Sequence, residues 1–202
     1  MSKIFNWKNN INKKELEEVV KVLKNDGIII FPTDTVYGIG CNCFSEKAIK
    51  KIFKAKSRPE EKPINVLTNN IKKIQKVTNN ISEKEEKIIK KYMPGALTII
   101  LNKREEIPSI LTAGLNTIGV RIPNNAIALN ILKHFEYPLA TTSVNISGNL
   151  AGLEPKDFLD EFKDKVDIII DGGKSEIGIA STIIKIEKDS KINILREGSI
   201  KL

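Results

Sequence analysis

Three cations fall within seven residues, and two prolines flank them, in Lys56-Ser57-Arg58-Pro59-x-x-Lys62-Pro63. Side chains of this kind grip polyphosphates: arginine offers a planar fork, lysine a point charge, and proline removes backbone freedom that binding would have to freeze. Arg121 interrupts an otherwise apolar run, Ile118-Gly119-Val120-Arg121-Ile122, with Thr117 four residues before it. Burying an unpaired charge costs several kcal/mol. Arg121 therefore needs an anionic partner, which is either the carboxylate of a substrate or an internal acid such as Asp34.

Hydroxyls and amides gather in three more places. These are Pro32-Thr33-Asp34-Thr35-Val36-Tyr37-Gly38, Thr141-Thr142-Ser143-Val144-Asn145-Ile146-Ser147-Gly148, and Gly178-x-Ala180-Ser181-Thr182 with Leu195-Arg196-Glu197-Gly198. All follow strand-like runs, where open α/β sheets place ligands. Taken singly, each has a structural explanation as a turn, a solvated helix end or a backbone cap. Arginine sharpens the choice: only four of the 33 basic residues are arginines, and Arg58, Arg121 and Arg196 all lie in these segments, leaving Arg104 in an ordinary polar loop.

Several common chemistries are excluded. Gly173-Lys174-Ser175 resembles the end of a phosphate-binding loop, but Ile168 stands where its leading glycine belongs. No G-x-G-x-x-G follows a strand, and the single histidine, His134, has no nucleophile or orienting group nearby, so a histidine-assisted covalent step is not expected. Cys41 and Cys43 are too close for an unstrained bridge and too few for a zinc site, which predicts free thiols in a reducing compartment.

The elements that must carry these segments are legible from periodicity. Leu16, Val19, Val20 and Leu23 predict a helix over 13–25, entered through Asn12-x-x-Glu15. A second helix starts at Ser45 and stops before Pro59; a third is capped by Ser82-x-x-Glu85 and ends at Met93-Pro94-Gly95. Two more are expected over 126–135 and 155–162. Ile28–Phe31 reads as a strand buried on both faces, and further strands are expected at 97–101, 118–122, 139–142, 168–170, 182–186 and 192–195. Such interleaving predicts one α/β domain over 1–202: a twisted mixed parallel and antiparallel sheet flanked by helices, with a concave, positively charged ligand cavity.

The formal charge is +8, yet the lysines sit beside glutamates as on solvated helix faces, so weak RNA binding is the most the charge implies. No apolar run reaches the ~18–20 residues needed to span a bilayer. No membrane association and a cytoplasmic location are expected.

Taken in order, eight segments resemble the YrdC/TsaC family of threonylcarbamoyl-AMP synthases: Pro32 to Ile39, Lys56 to Pro63, Pro94-Gly95-Ala96-Leu97-Thr98, Val120-Arg121-Ile122-Pro123, Ser143 to Gly148, Asp171-Gly172-Gly173, Ser181-Thr182-Ile183 and Leu195 to Gly198. The likeness covers roughly residues 12–200 and ends as the short single-domain members do. It implies an enzyme that joins L-threonine, bicarbonate or CO2, and ATP into threonylcarbamoyl-AMP and pyrophosphate, for transfer to tRNA by separate threonylcarbamoyl-transferase machinery. It also implies Thr35, Arg121, Thr141 and Ser181 around L-threonine, and Arg58, Lys62, Thr117, Ser143, Ala151 and Arg196 on ATP, with Lys56 and Asn145 in support. Lys56 and Arg58 would position the phosphates, and Mg2+ would be held through those phosphates rather than by protein side chains. The chain departs from the family pattern at Leu67, Thr142, Ala180 and Glu197. Carbamoyl-adenylate chemistry on the same fold and a non-catalytic RNA-binding module are the competing readings.

Overall fold

Apolar runs and capped amphipathic segments fold into ten strands and six α-helices in a computed structural model that describes residues 1–187 and 189–202. In chain order these are β1 (Lys3–Asn6), α1 (Lys13–Lys24), β2 (Ile29–Phe31), β3 (Gly38–Asn42), α2 (Glu46–Lys56), β4 (Asn65–Leu67), α3 (Ile71–Ile74), α4 (Glu83–Tyr92), β5 (Leu97–Asn102), β6 (Thr117–Arg121), α5 (Ala126–His134), β7 (Leu139–Ser143), α6 (Leu159–Phe162), β8 (Ile168–Asp171), β9 (Thr182–Ile186) and β10 (Ile192–Arg196). The strands form one mixed sheet in the order β1-β8-β2-β3-β7-β4-β6-β5-β9-β10. β1, β8 and β2 run parallel, as do β4 with β6 and β5 with β9, and the remaining neighbours are antiparallel.

Side-chain alternation splits the core in two. Ile30, Val66, Ile99, Val120, Ile169 and Ile184 point to one face, where they pack with Ala48, Ile49 and Ile52 of α2 and Ile88 and Ile89 of α4. Ile29, Phe31, Leu67, Leu139, Ile168 and Ile170 point to the other, under Leu16, Val19 and Leu23 of α1 and Ile127, Ile131 and Leu132 of α5. α1 and α5 cover the part of that second face built by β8, β2, β3 and β7, reaching Leu67 of β4. The cavity described below occupies the remainder, over β4, β6, β5 and β9.

The helix signals operate largely as expected. Ser45 accepts the Ala48 amide, and Ser82 with Glu85 forms a reciprocal capping box. Asn12 caps α1 through the Lys14 and Glu15 amides, but Glu15 does not complete a box; its carboxylate instead accepts the Trp7 indole N–H at 2.6 Å. The helix expected over 155–162 is a 3-10 turn at Pro155–Asp157 followed by a single α turn at α6. β1, β3, β4 and α3 lie outside the expected set. β3 is masked by its glycines: a Cβ on Gly38 would stand 2.8 Å from Thr141 Cγ2, and one on Gly40 2.9 Å from Phe31 Cε1. Cys41 and Cys43 are free, and burial pushes both thiols well above their ordinary value.

Candidate active site

The open half of the sheet holds a cavity of about 580 Å3. Strand ends and the loops beyond them supply its walls: Thr35 and Gly38, Arg58 and Lys62, Thr98, Thr117 and Arg121, Thr141 and Ser143, and Ser181, Lys185 and Arg196. Five cations line it, and none of the described lining residues is acidic. A larger hollow of about 720 Å3 lies between α1, α2 and β8, but there Lys3, Lys51, Lys54 and Lys165 alternate with Glu18, Asp164 and Asp167. The first hollow is lined by cations with no acidic lining residue among those described, whereas in the second the charges of both signs are mixed.

Arg121 is the most constrained of the five. β6 carries it into the cavity floor, where it is 5% exposed. Its Nε donates to the Gly95 carbonyl at 2.9 Å, Nη1 donates to Thr35 Oγ1 at 2.8 Å, and Nη2 donates to Asp34. Burial draws the guanidinium below its ordinary value and the Asp34 carboxylate pushes back. These contacts use three of five N–H groups, leaving one unused on each terminal nitrogen. Of the two partners anticipated for Arg121, the internal acid Asp34 is the one the structure pairs with it. The loop below is set by Thr33, whose hydroxyl donates to the Val36 carbonyl at 2.6 Å and lies 3.0 Å from Thr35 Oγ1.

Arg58 and Arg196 are bound differently. Arg58 donates from Nη2 to the Pro63 carbonyl at 2.9 Å and from Nε to the Lys62 carbonyl at 3.2 Å, so it closes the loop that presents Lys62. Arg196 donates from Nη2 and Nε to the Ser181 carbonyl at 2.8 and 3.0 Å, and from Nη2 to Ser181 Oγ at 3.1 Å. Ser181 Oγ also lies 2.8 Å from Thr98 Oγ1. Burial draws both guanidiniums below their ordinary value. Backbone carbonyls orient these two arginines without neutralising them.

Thr35, Arg121, Thr141 and Ser181 thus share the cavity with Arg58, Lys62, Thr117, Ser143 and Arg196. Lys56, Asn145 and Ala151 do not line it. Lys56 is 1% exposed, and its ammonium donates to the Ser143 carbonyl and to the Asn145 carbonyl and Oδ1 at 2.6 and 3.0 Å. Asn145 in turn accepts the Ser143 hydroxyl at 2.7 Å and donates to the Asn149 carbonyl at 2.8 Å. Both residues hold the 143–149 loop from behind. Burial, reinforced by the Arg58 charge, pulls Lys56 down to about 7. His134 is remote, with Nδ1 2.9 Å from the Asn130 carbonyl at the exposed end of α5, and Arg104 pairs with Glu106 at the surface.

Sequence reasoning missed Asn65, Thr98 and Lys185, all of which line the cavity. Asn65 carries the same signal as Arg121, a polar residue inside a short apolar run, Ile64-Asn65-Val66-Leu67. Lys185 alternates with Ile184 and Ile186 on β9, which reads as an ordinary half-exposed strand.

Residues 21–198 match the Sua5/YciO/YrdC family, described as telomere recombination. The chain belongs to this family. Among curated relatives, it is 40% identical over 99% of its length to a putative threonylcarbamoyl-AMP synthase of Methanocaldococcus jannaschii, covering 93% of that protein. It is 34% identical over its full length to the threonylcarbamoyl-AMP synthase of Pyrococcus abyssi, covering 59% of it. The solved structure of Pyrococcus abyssi Sua5 complexed with L-threonine superposes with a TM-score of 0.92 at 34% identity, over 96% of this chain and 57% of that one. The chain spans little more than half the length of several curated Sua5/YciO/YrdC relatives. The mixed sheet flanked by helices is the fold these family structures share.

Proposed function

We propose that this chain is an L-threonylcarbamoyladenylate synthase, a nucleotidyltransferase acting as a single domain over residues 1–202. It condenses L-threonine, bicarbonate or CO2, and ATP into threonylcarbamoyl-AMP and pyrophosphate. The observation that carries the reading is the union, in one cavity, of a carboxylate-ready Arg121 with a second set of cations whose charge is not cancelled. Arg121 takes the threonine carboxylate on its two remaining N–H groups, beside the hydroxyls of Thr35, Thr141 and Ser181. Arg58, Lys62, Thr117, Ser143 and Arg196 hold ATP. Lys56 and Asn145 keep the Ser143 loop in place behind the nucleotide, and the Ala151 segment adjoins it.

Neutralising and aligning the reactants supplies most of the catalysis such a reaction needs. The threonine amine adds to carbon of CO2 or bicarbonate, and an oxygen of the resulting carbamate attacks the α-phosphate. Carbamates decompose in water, so the concave wall around the reactants protects them. With no acidic side chain among the lining residues, the cavity suits Mg2+ that arrives on the phosphates and keeps its waters. The relatives' printed activity and the L-threonine complex support this reading. The product then passes to a tRNA threonylcarbamoyl-transferase, a cytoplasmic task. Threonine-dependent release of pyrophosphate from ATP in bicarbonate buffer tests it; release indifferent to threonine would point to carbamoyl-adenylate chemistry instead.

A further inference from the structure

Asn65 stands on the border between the two halves of the cavity. On β4 it faces Thr141 of β7. The parallel register that sets Val66 against Val120 and Leu67 against Arg121 brings Asn65 beside Gly119 of β6. Along β6, Gly119 is flanked on the same face by Arg121 in one direction and Thr117 in the other, one from each side of the site. The Asn65 carboxamide lies over Gly119: a Cβ built there would stand 2.2 Å from Asn65 Oδ1 and 3.0 Å from its Cγ. Glycine at this point of β6 therefore makes room for the amide.

Among the described residues the Asn65 amide has no hydrogen-bond partner, although it is half-buried in the cavity wall. Asn145 is the contrast, since its amide is consumed by Ser143, Lys56, Ile146 and Asn149. Water can serve the Asn65 amide while the cavity is open, but once reactants displace that water its partner comes from them.

We infer that Asn65 holds the carbamate group where it meets the α-phosphate, a role that rests on the synthase reading above. The amine of threonine bonds to carbon of bicarbonate with loss of water, or to CO2 with loss of a proton. One carbamate oxygen then bonds to the α-phosphorus as the bond to the bridging oxygen breaks and pyrophosphate leaves with that electron pair. Asn65 donates an N–H to the other carbamate oxygen. A neutral amide suits this place. Another cation would draw electron density from the attacking oxygen, and a carboxylate would repel both the carbamate and the phosphate.

The test titrates bicarbonate in the threonine-dependent release of pyrophosphate, with threonine and a non-hydrolysable ATP analogue titrated separately by calorimetry. Asn65→Leu is expected to raise the half-saturating bicarbonate concentration roughly 10-fold or more, the loss of one hydrogen bond to a charged group, with threonine and nucleotide affinities held within about threefold. Asn65→Asp loses more turnover than Asn65→Leu. Gly119→Ala, which displaces the amide without removing it, shows the same bicarbonate defect, and Asn65→Ser reports it if the leucine variant does not fold. An unchanged bicarbonate dependence in these variants, or an equal loss of threonine affinity, overturns the role of Asn65 alone. A wild-type chain that releases no pyrophosphate in response to threonine overturns the synthase reading and this inference with it.

Discussion

Arg121 and Arg58 enter the same cavity with opposite electrostatic arrangements. Arg121 lies deep and already faces a carboxylate, so its corner of the site is close to charge balance before any ligand arrives. Arg58 is half-buried and Arg196 exposed, and both are held by backbone carbonyls, so their charge stays uncompensated. The first arrangement fits a zwitterion, which brings no net charge and must be recognised by geometry. The second fits a polyanion, which supplies the missing counter-charge. The two corners are therefore distinguishable by experiment even though they share a wall.

The largest effect is expected at Arg121. Arg121→Ala removes threonine binding and strands Asp34 as a buried unpaired carboxylate, at a cost of about 3–5 kcal/mol in unfolding free energy. Pairing Arg121→Met with Asp34→Asn recovers most of that stability in denaturant titration but not threonine binding; recovery of both would mean that the pair is purely structural. Arg58→Ala is expected to weaken ATP roughly 10–100-fold, the worth of hydrogen bonds to a charged group, and to leave threonine affinity within about twofold in calorimetry. Arg196→Ala should weaken both ligands, because its guanidinium also fixes Ser181. Equal behaviour of the Arg58 and Arg196 variants toward threonine would erase that distinction.

Salt gives a smaller and more general test. Raising ionic strength from low to physiological values should weaken ATP binding measurably while threonine affinity stays nearly flat, since screening acts on net charge that is not already paired. Parallel salt slopes would contradict the contrast between the corners. The smallest effect concerns Lys56, drawn by burial from an ordinary lysine value to about 7. Between about pH 7 and pH 8 the unfolded chain keeps a proton on this lysine that the folded chain sheds, so unfolding free energy rises with pH there, before the buried Cys41 and Cys43 thiols tilt the slope the other way at higher pH. Lys56→Met should flatten the rise seen in denaturation midpoints; an identical pH slope in the variant would show that Lys56 does not titrate there.

Much of this was written locally. Helix caps at Asn12, Ser45 and Ser82 and the apolar runs of β2, β5, β6 and β8 depend on neighbours in sequence, so patterns revealed them. β3 and β4 were hidden because their identity depends on distant strands: Gly38 and Gly40 exist to admit Thr141 and Phe31, and the three residues of β4 are too few for a period. The same reasoning applies to the site. Arg121 was recognisable as a charge needing a partner, but that Asp34 is paired with it required three dimensions. Lys56 was read with Arg58 as a phosphate ligand because they are two residues apart, yet the end of α2 turns one inward to the 143–149 loop and the other toward the cavity. Asn65 shares with Arg121 the signal of a polar residue inside an apolar run, but its place over Gly119 at the cavity wall is visible only in three dimensions.

The central claim is that one hollow holds an amino acid and a nucleotide side by side. A crystal structure with L-threonine and a non-hydrolysable ATP analogue bound together tests it most directly. The account predicts the threonine carboxylate on the two free Arg121 N–H groups and the phosphates between Arg58, Lys62 and Arg196. Either ligand bound outside that cavity, or a threonine carboxylate turned away from Arg121, would contradict it.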